Sequence, residues 1–343
     1  MSKECYYIGE QSLIFPRDVY LISSASVVGK KEGEGPLGRA FDMICDDDKF
    51  GEDTWEQAES TLQKEALALA MGKADIKPEN IRYLFAGDLL GQNIATSFGL
   101  MDYEIPLFGL YGACSTAGES LSLAAMCVGA GYAKTVAALT SSHFASAEKQ
   151  FRYPLEYANQ RPVSATWTVT GSGAFLLSSK RGNVKITGVT TGKIVDMGIK
   201  DSMNMGAAMA PAAADLIAQH LEDFGRTPSD YDKIVTGDLG YVGQEILINL
   251  LKREKTDISK VHEDCGILIY DKDKQGTGSG GSGCGCSAVT LSAHYLPKLE
   301  DGSFKRILFI PTGALLSTVS FNEGQNVPGI AHAVVLEHAD KEV

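Results

Sequence analysis

Cys114 stands in the string Leu110-Tyr-Gly-Ala-Cys-Ser-Thr-Ala-Gly-Glu119. An apolar run of strand length, Ile105 to Tyr111, precedes it, and Ser120 to Gly131 is small and apolar enough to read as a buried helix. A cysteine on such a strand-to-helix turn can do two kinds of chemistry. Backbone amides and the positive end of the helix dipole can stabilise a nucleophilic thiolate, or they can cradle an anion. The bland alternative is one more small buried hydrophobe. Thr116-x-x-Glu119 has the spacing of a capping box, which would fix the helix start from both sides.

The elements that must position this turn follow from pattern. Asp18–Val28 predicts a first strand and Thr54–Gly72 an amphipathic helix capped by Asp53 or Thr54. Ile81–Ala86 predicts a strand that runs into Gly87-Asp88-Leu89. After the Cys114 turn come a strand at Thr135–Ser141, a loop from His143 to Pro162 rich in aromatic and basic residues, and two strands within Val163–Ser179. The second half repeats the plan. Pro211–Phe224 predicts a helix opened by proline and stopped by Gly225. Lys233–Thr236 predicts a strand, and Gly237-Asp238-Leu239 answers Gly87-Asp88-Leu89. Gly280–Cys286 opens a helix at Ser287–Leu296, and Ile307–Pro311 and Ile330–Glu337 close the sheet. The chain therefore divides into two tandem α/β halves, 1–182 and 183–343, around one core.

Composition narrows the partners. The 343 residues are 44% apolar and carry a net charge of −12, which repels nucleic acid and anionic lipid headgroups. Seven scattered cysteines, an odd number without a secretory signal pattern, fit reduced thiols better than a disulfide framework. Cys284-x-Cys286 has no second pair at zinc spacing. No apolar run is long enough to span a bilayer, so any membrane association is peripheral.

A duplicated α/β chain with a cysteine on this turn resembles the thiolase-like superfamily. Met205-Gly206, then a helix, then Asp232-Lys-Ile-Val-Thr-Gly-Asp-Leu-Gly240, is similar to the second half of a type III ketoacyl synthase. Within that likeness GEGPLGRAFD (33–42), FGEDTWEQAES (50–60), YGACSTAGES (111–120), FRYPLEYANQRPVSATWTVTGSGA (151–174) and GSGCGCSA (281–288) resemble the stage V sporulation protein AD family. The resemblance implies a five-layer αβαβα fold and a homodimer seamed along Thr135–Ser141. It also implies binding of dipicolinic acid, free or as its calcium chelate, with other membrane subunits of a spore transport system. The expected place is the periphery of the spore inner membrane, in sporulation and germination. No cofactor is implied.

Two partners of a condensing cysteine are missing from that pattern. Its imidazole would follow the strand Lys233–Thr236, where Gly237 and Asp238 stand; its asparagine would fall among Ser282, Gly283, Cys284 and Gly285. A carboxylate at Asp238 beside Cys114 would raise the thiol pKa, opposite to what a nucleophile needs. The expectation is a pocket kept for binding, with no catalytic residue and no metal ligand. Its candidate ligand residues are Gly112, Ala113, Cys114, Ser115, His143, Arg152, Arg161, Asp238, Ser282 and Gly283. Lys149, Arg152 and Arg161 are the cations to clamp carboxylates, or else surface charge on a loop. Asp88 and Asp238 alone offer too few oxygens for calcium. A Cys114-dependent acyl-transfer enzyme and a structural subunit with a vestigial pocket remain the alternatives.

Overall fold

A computed structural model describes residues 5–151 and 160–340. In the first half β1 (Val19–Gly29), β2 (Leu84–Gly87), β3 (Leu107–Leu110), β4 (Thr135–Ser142) and β5 (Gly171–Ser178) lie in the order β1-β5-β4-β2-β3. In the second, β6 (Val184–Thr191), β7 (Lys233–Thr236), β8 (His262–Asp264), β9 (Arg306–Ile310) and β10 (Gly329–His338) lie as β6-β10-β9-β7-β8. The two orders are one plan repeated. Strand directions repeat too: β5 and β10 are the antiparallel members, while β4-β2-β3 and β9-β7-β8 run parallel. Antiparallel pairing of β1 with β6 joins the halves, and the chain crosses between them from Ser178 to Val184.

The helices build the remaining layers. They are α1 (Trp55–Ala74), α2 (Ile94–Leu100), α3 (Thr116–Gly129), α4 (Phe144–Phe151), α5 (Met205–Phe224), α6 (Gly240–Arg253) and α7 (Cys284–Thr290). α7 continues through a π turn, Leu291–Tyr295, to Glu300. α3 touches β2 and β4 on one side and β10 on the other, and α7 packs beside it on β4 and β5. These two form the middle layer. α1 covers the far side of β1, β5 and β4, and α5, backed by α6, covers the far side of β10. Period-two alternation makes this work: Val136 and Ala138 of β4 face α3, while Ala137 and Leu139 face α1. The inner parallel strands β2, β4 and β9 are buried on both faces, which is why they read as nearly unbroken apolar runs, whereas β3 at the edge is largely exposed.

Local chemistry sets most boundaries. Thr54 accepts from Gln57 N at 3.2 Å while Gln57 Oε1 accepts from Thr54 N at 3.1 Å, a true capping box for α1. Other expectations change. Pro211 lies inside α5 rather than at its start: Asn204 caps the helix at Ala207 N, and the Ala- and Met-rich first turns outweigh one lost hydrogen bond. The stretch after His143 is helical as far as Phe151, not a loop. Thr116 and Glu119 form no capping box. Thr116 Oγ1 instead accepts from Gly112 N (3.0 Å) and donates to Ala113 O (2.7 Å), while Glu119 Oε2 is buried without a hydrogen-bond partner.

Two histidines are interior. His220 bridges Thr190 Oγ1 (2.6 Å) and Tyr231 Oη (2.5 Å), and burial pushes its pKa down to about 3. His262 belongs to β8, within 2.9 Å of Thr236 Oγ1, and is pushed down to about 4. Both sites offer hydroxyl partners that pattern alone does not reveal. Among the described residues no helix is long and apolar enough to cross a membrane, and no cluster of three or more His, Cys, Asp or Glu side chains could hold a metal ion.

Candidate functional site

Between β3 and α3 the chain makes a 3-10 turn, Ala113–Ser115, with Ala113 at φ +53°. A non-glycine residue in that left-handed region is strained, and the strain is held by Ser115 Oγ donating to Gly112 O at 2.6 Å. Gly112 is small for a local reason. A Cβ there would lie 2.6 Å from Glu119 Oε2, so the glycine makes room for a buried carboxyl rather than for a ligand. Ala113 and Cys114 face a cavity of about 280 Å3.

Both halves of the chain wall this cavity. Leu89, Tyr111, Ala147, Phe151 and Thr168 come from the first half; Met205, Ser282, Gly283 and the segment Ala314–Ser317 come from the second. Gly283 holds φ +103°, which suits glycine, and a Cβ there would strike Ser142 Oγ at 2.6 Å. Thr166 Oγ1 donates to Ser282 Oγ at 2.9 Å, leaving the Ser282 proton to donate elsewhere. Tyr111, Thr168 and Ser317 are the other hydroxyl-bearing residues of the lining, and the rest of the wall is mainly apolar.

Asp238 lies behind Cys114. Its Oδ1 accepts from Thr312 Oγ1 at 2.6 Å and its Oδ2 from Gly283 N at 3.1 Å, and it also takes a hydrogen bond from the Cys114 thiol. Full burial pushes this carboxyl up to about 7, against the pull of those donors. The Cys114 thiol is pushed well above its ordinary range, first by burial and then by the charge of Asp238, with Cys284 adding to both. Cys114 is thus a neutral thiol donating to a carboxylate. Cys284 is equally inert, donating to Ser141 O at 2.9 Å with its pKa raised by burial.

The remaining candidates sit elsewhere. His143 is buried in a different cleft, its Nε2 2.8 Å from Asp48 O, and among the described residues no histidine lines the Cys114 cavity. Arg161 pairs with Glu148 at 2.8 Å, donates to Thr166 O and lies over the Phe144 and Trp167 rings; it does not line the cavity. Lys149 points away to Glu56, at 2.7 Å. Arg152 falls outside the described residues. Asp88 spends its oxygens on Leu90 N and on Thr96, which fixes the start of α2. Ser115 closes the turn rather than lining the cavity. Sequence reasoning missed Leu89, Phe151, Met205 and Ala314–Ser317, because apolar walls contributed by distant segments carry no local signature.

The fold and the turn define the class. The duplicated five-layer architecture with its cysteine between β3 and α3 is thiolase-like. It superposes on 3-oxoacyl-[acyl-carrier-protein] synthase III from Aquifex aeolicus VF5 with a TM-score of 0.57, at 14% identity, covering 93% of this chain and all of that one. Human mitochondrial 3-ketoacyl-CoA thiolase is similar, with a TM-score of 0.57 and 13% identity over 95% of this chain and 100% of that one. The particular family is closer in sequence. A family model for stage V sporulation protein AD matches residues 9–337. The stage V sporulation protein AD of Bacillus subtilis (strain 168) is 44% identical over 331 residues, 96% of this chain and 98% of that protein. The chain belongs to the stage V sporulation protein AD family, and its role is in sporulation.

Proposed function

We propose that the Cys114 cavity is a binding site without catalysis, and that it takes dipicolinate, free or as its calcium chelate, in spore formation and germination. The observation that carries this is the pair Cys114–Asp238. A thiolase-like turn is kept, but its cysteine donates to a carboxylate where a condensing enzyme needs a base. A cavity of about 280 Å3 lies at the small end of ligand sites and suits one flat ring. Ser282, beside Ala113 and Cys114, supplies a hydroxyl toward a carboxyl group. Calorimetric titration with dipicolinate, against pyridine-3,4-dicarboxylate as control, tests the ligand directly: binding of neither compound, or of both alike, would remove this assignment.

Incubation with acetyl- or malonyl-CoA is expected to leave the intact mass unchanged. A stoichiometric acyl adduct on Cys114 would instead support the acyl-transfer alternative.

We further propose a homodimer in contact with membrane subunits, with its seam moved from the position expected from sequence. β4 has strands on both sides, β5 and β2, so its backbone has no free row to offer a second copy. β3 is the edge: among the described residues no strand pairs with its far side, it exposes Leu107 and Phe108, and the segment before it exposes Phe98 and Met101. Phe108→Glu should convert a dimer seen by light scattering into a monomer that keeps its far-ultraviolet spectrum. A dimer unaffected by this change would place the seam elsewhere.

A further inference from the structure

The chain has only two tryptophans, and both line one cleft that does not include Cys114. This cleft, of about 420 Å3, is walled by Trp55, Trp167, Phe144 and His143, with Glu32 beside Gly29 and Thr170, and Lys30, Lys31 and Asp48 among its lining. It stands back to back with the Cys114 cavity. α4 gives Phe144 and Ala145 to the cleft but Ala147 and Phe151 to the cavity, and the neighbouring residues Trp167 and Thr168 divide the same way.

Glu32 is the unsatisfied member. It is 1% exposed, its Oε1 accepts from Thr170 N at 3.0 Å and from the Tyr270 hydroxyl, and its Oε2 has no hydrogen-bond partner. That oxygen lies against Gly29, where a Cβ would approach it to 3.0 Å. The aromatic wall already shows what it attracts. Trp167 stacks on Phe144 at 3.9 Å and carries the Lys31 ammonium 4.3 Å from its ring centroid, while Lys31 is tethered outward to Gln275 O at 2.8 Å. Lys30 and Lys31 would favour an anion, but their charge is at least partly open to solvent and screened, whereas the Glu32 oxygen is buried and lacks a donor.

We propose that this cleft is a second binding site, for a small organic primary ammonium ion whose N–H donates to Glu32 Oε2 and whose apolar body packs on the indole of Trp55, beside Trp167. The site is independent of dipicolinate. Burial holds the Glu32 carboxyl up at about 7, opposed by the Tyr270 hydroxyl, by backbone amides and, weakly, by Lys31. The neighbouring His143 is held neutral by burial, leaving Asp48 as the other carboxylate of the lining. The carboxylate form binds the cation, so affinity should rise with pH through that value.

Tryptophan fluorescence of the whole protein reports on this cleft alone. Phenethylammonium should change it saturably at millimolar concentration, several-fold more tightly at pH 8 than at pH 6, while the isosteric anion phenylacetate should not. Glu32→Gln should weaken phenethylammonium at least roughly tenfold and remove the pH dependence, about 1.4 kcal/mol for each factor of ten. A response to phenylacetate equal to or stronger than that to phenethylammonium, or no saturable response to either in the unaltered protein, overturns the proposal even if Glu32→Gln does not fold. Dipicolinate titration by calorimetry, unchanged by phenethylammonium, keeps the two sites' tests apart.

Discussion

An Ala113→Leu protein is expected to fold as its parent does and to bind dipicolinate at least roughly a hundredfold more weakly, about 2.7 kcal/mol. Ala113 faces the cavity beside Cys114, and three added carbons would fill the part of its about 280 Å3 next to that thiol, where the ligand's ring is placed. The backbone cost is already present, because alanine at φ +53° is as strained as leucine would be. What changes is space. The added carbons project into an open cavity rather than a packed core, so the overpacking penalty of about 1–3 kcal/mol is largely avoided. Calorimetry gives the affinity and thermal unfolding the fold check. Wild-type affinity in a normally folded Ala113→Leu protein would put the ligand elsewhere.

Asp238→Asn is expected to stabilise the protein at pH 8 and to make Cys114 more reactive. Burial holds the folded carboxyl up at about 7 against an ordinary value of 3.8, so between those values the native state holds a proton that the unfolded chain has lost. A carboxyl raised in this way favours the fold fully below about pH 4, and that contribution disappears as pH rises through about 7. Above both values the burial of a charged Asp238 costs up to roughly 4 kcal/mol, and an amide removes that cost. The amide fits: its oxygen can accept from Gly283 N, and the Thr312 hydroxyl can turn to accept from its nitrogen. Unfolding by urea from pH 4 to pH 8 should show a shallower fall in stability than the parent. Iodoacetamide should alkylate Cys114 faster, since the carboxylate that raises the thiol pKa is gone. An unchanged pH profile would mean that Asp238 is already neutral-paired in the fold and does not govern Cys114.

The fold was legible in the sequence where local signals agree. Thr54 with Gln57, the Gly225 stop and the repeated Gly-Asp-Leu after β2 and β7 each mark a boundary that the backbone obeys. The Cys114 turn and Asp238 after β7 were legible for the same reason, as each lies in a short string. The cavity walls were not. Met205 and Ser317 share a cavity with Leu89 only because the two halves of the sheet fold over a shared pair of central helices, and no window of sequence contains that information. Charge misled in another way. Arg161 and Lys149 look like carboxylate clamps until Glu148 and Glu56, on α4 and α1, are seen to engage them.

The placement of β10 has a consequence for how this chain reaches its native state. Residues 329–338 form a strand in the middle of the sheet, hydrogen-bonded to β6 on one side and β9 on the other. A nascent chain can assemble β1 to β5 early, but the second half has a gap at its centre until those residues leave the ribosome. Pairing across such separations requires closing long loops before any contact is gained, which makes folding slow and leaves open strand edges in the meantime. Until then α3, whose outer face rests on β10, presents apolar surface to solvent. The interval between finishing the first half and inserting β10 is therefore when the chain exposes the most unpaired strand edge and apolar surface, and substitutions that delay that insertion should lower yield more than they lower equilibrium stability.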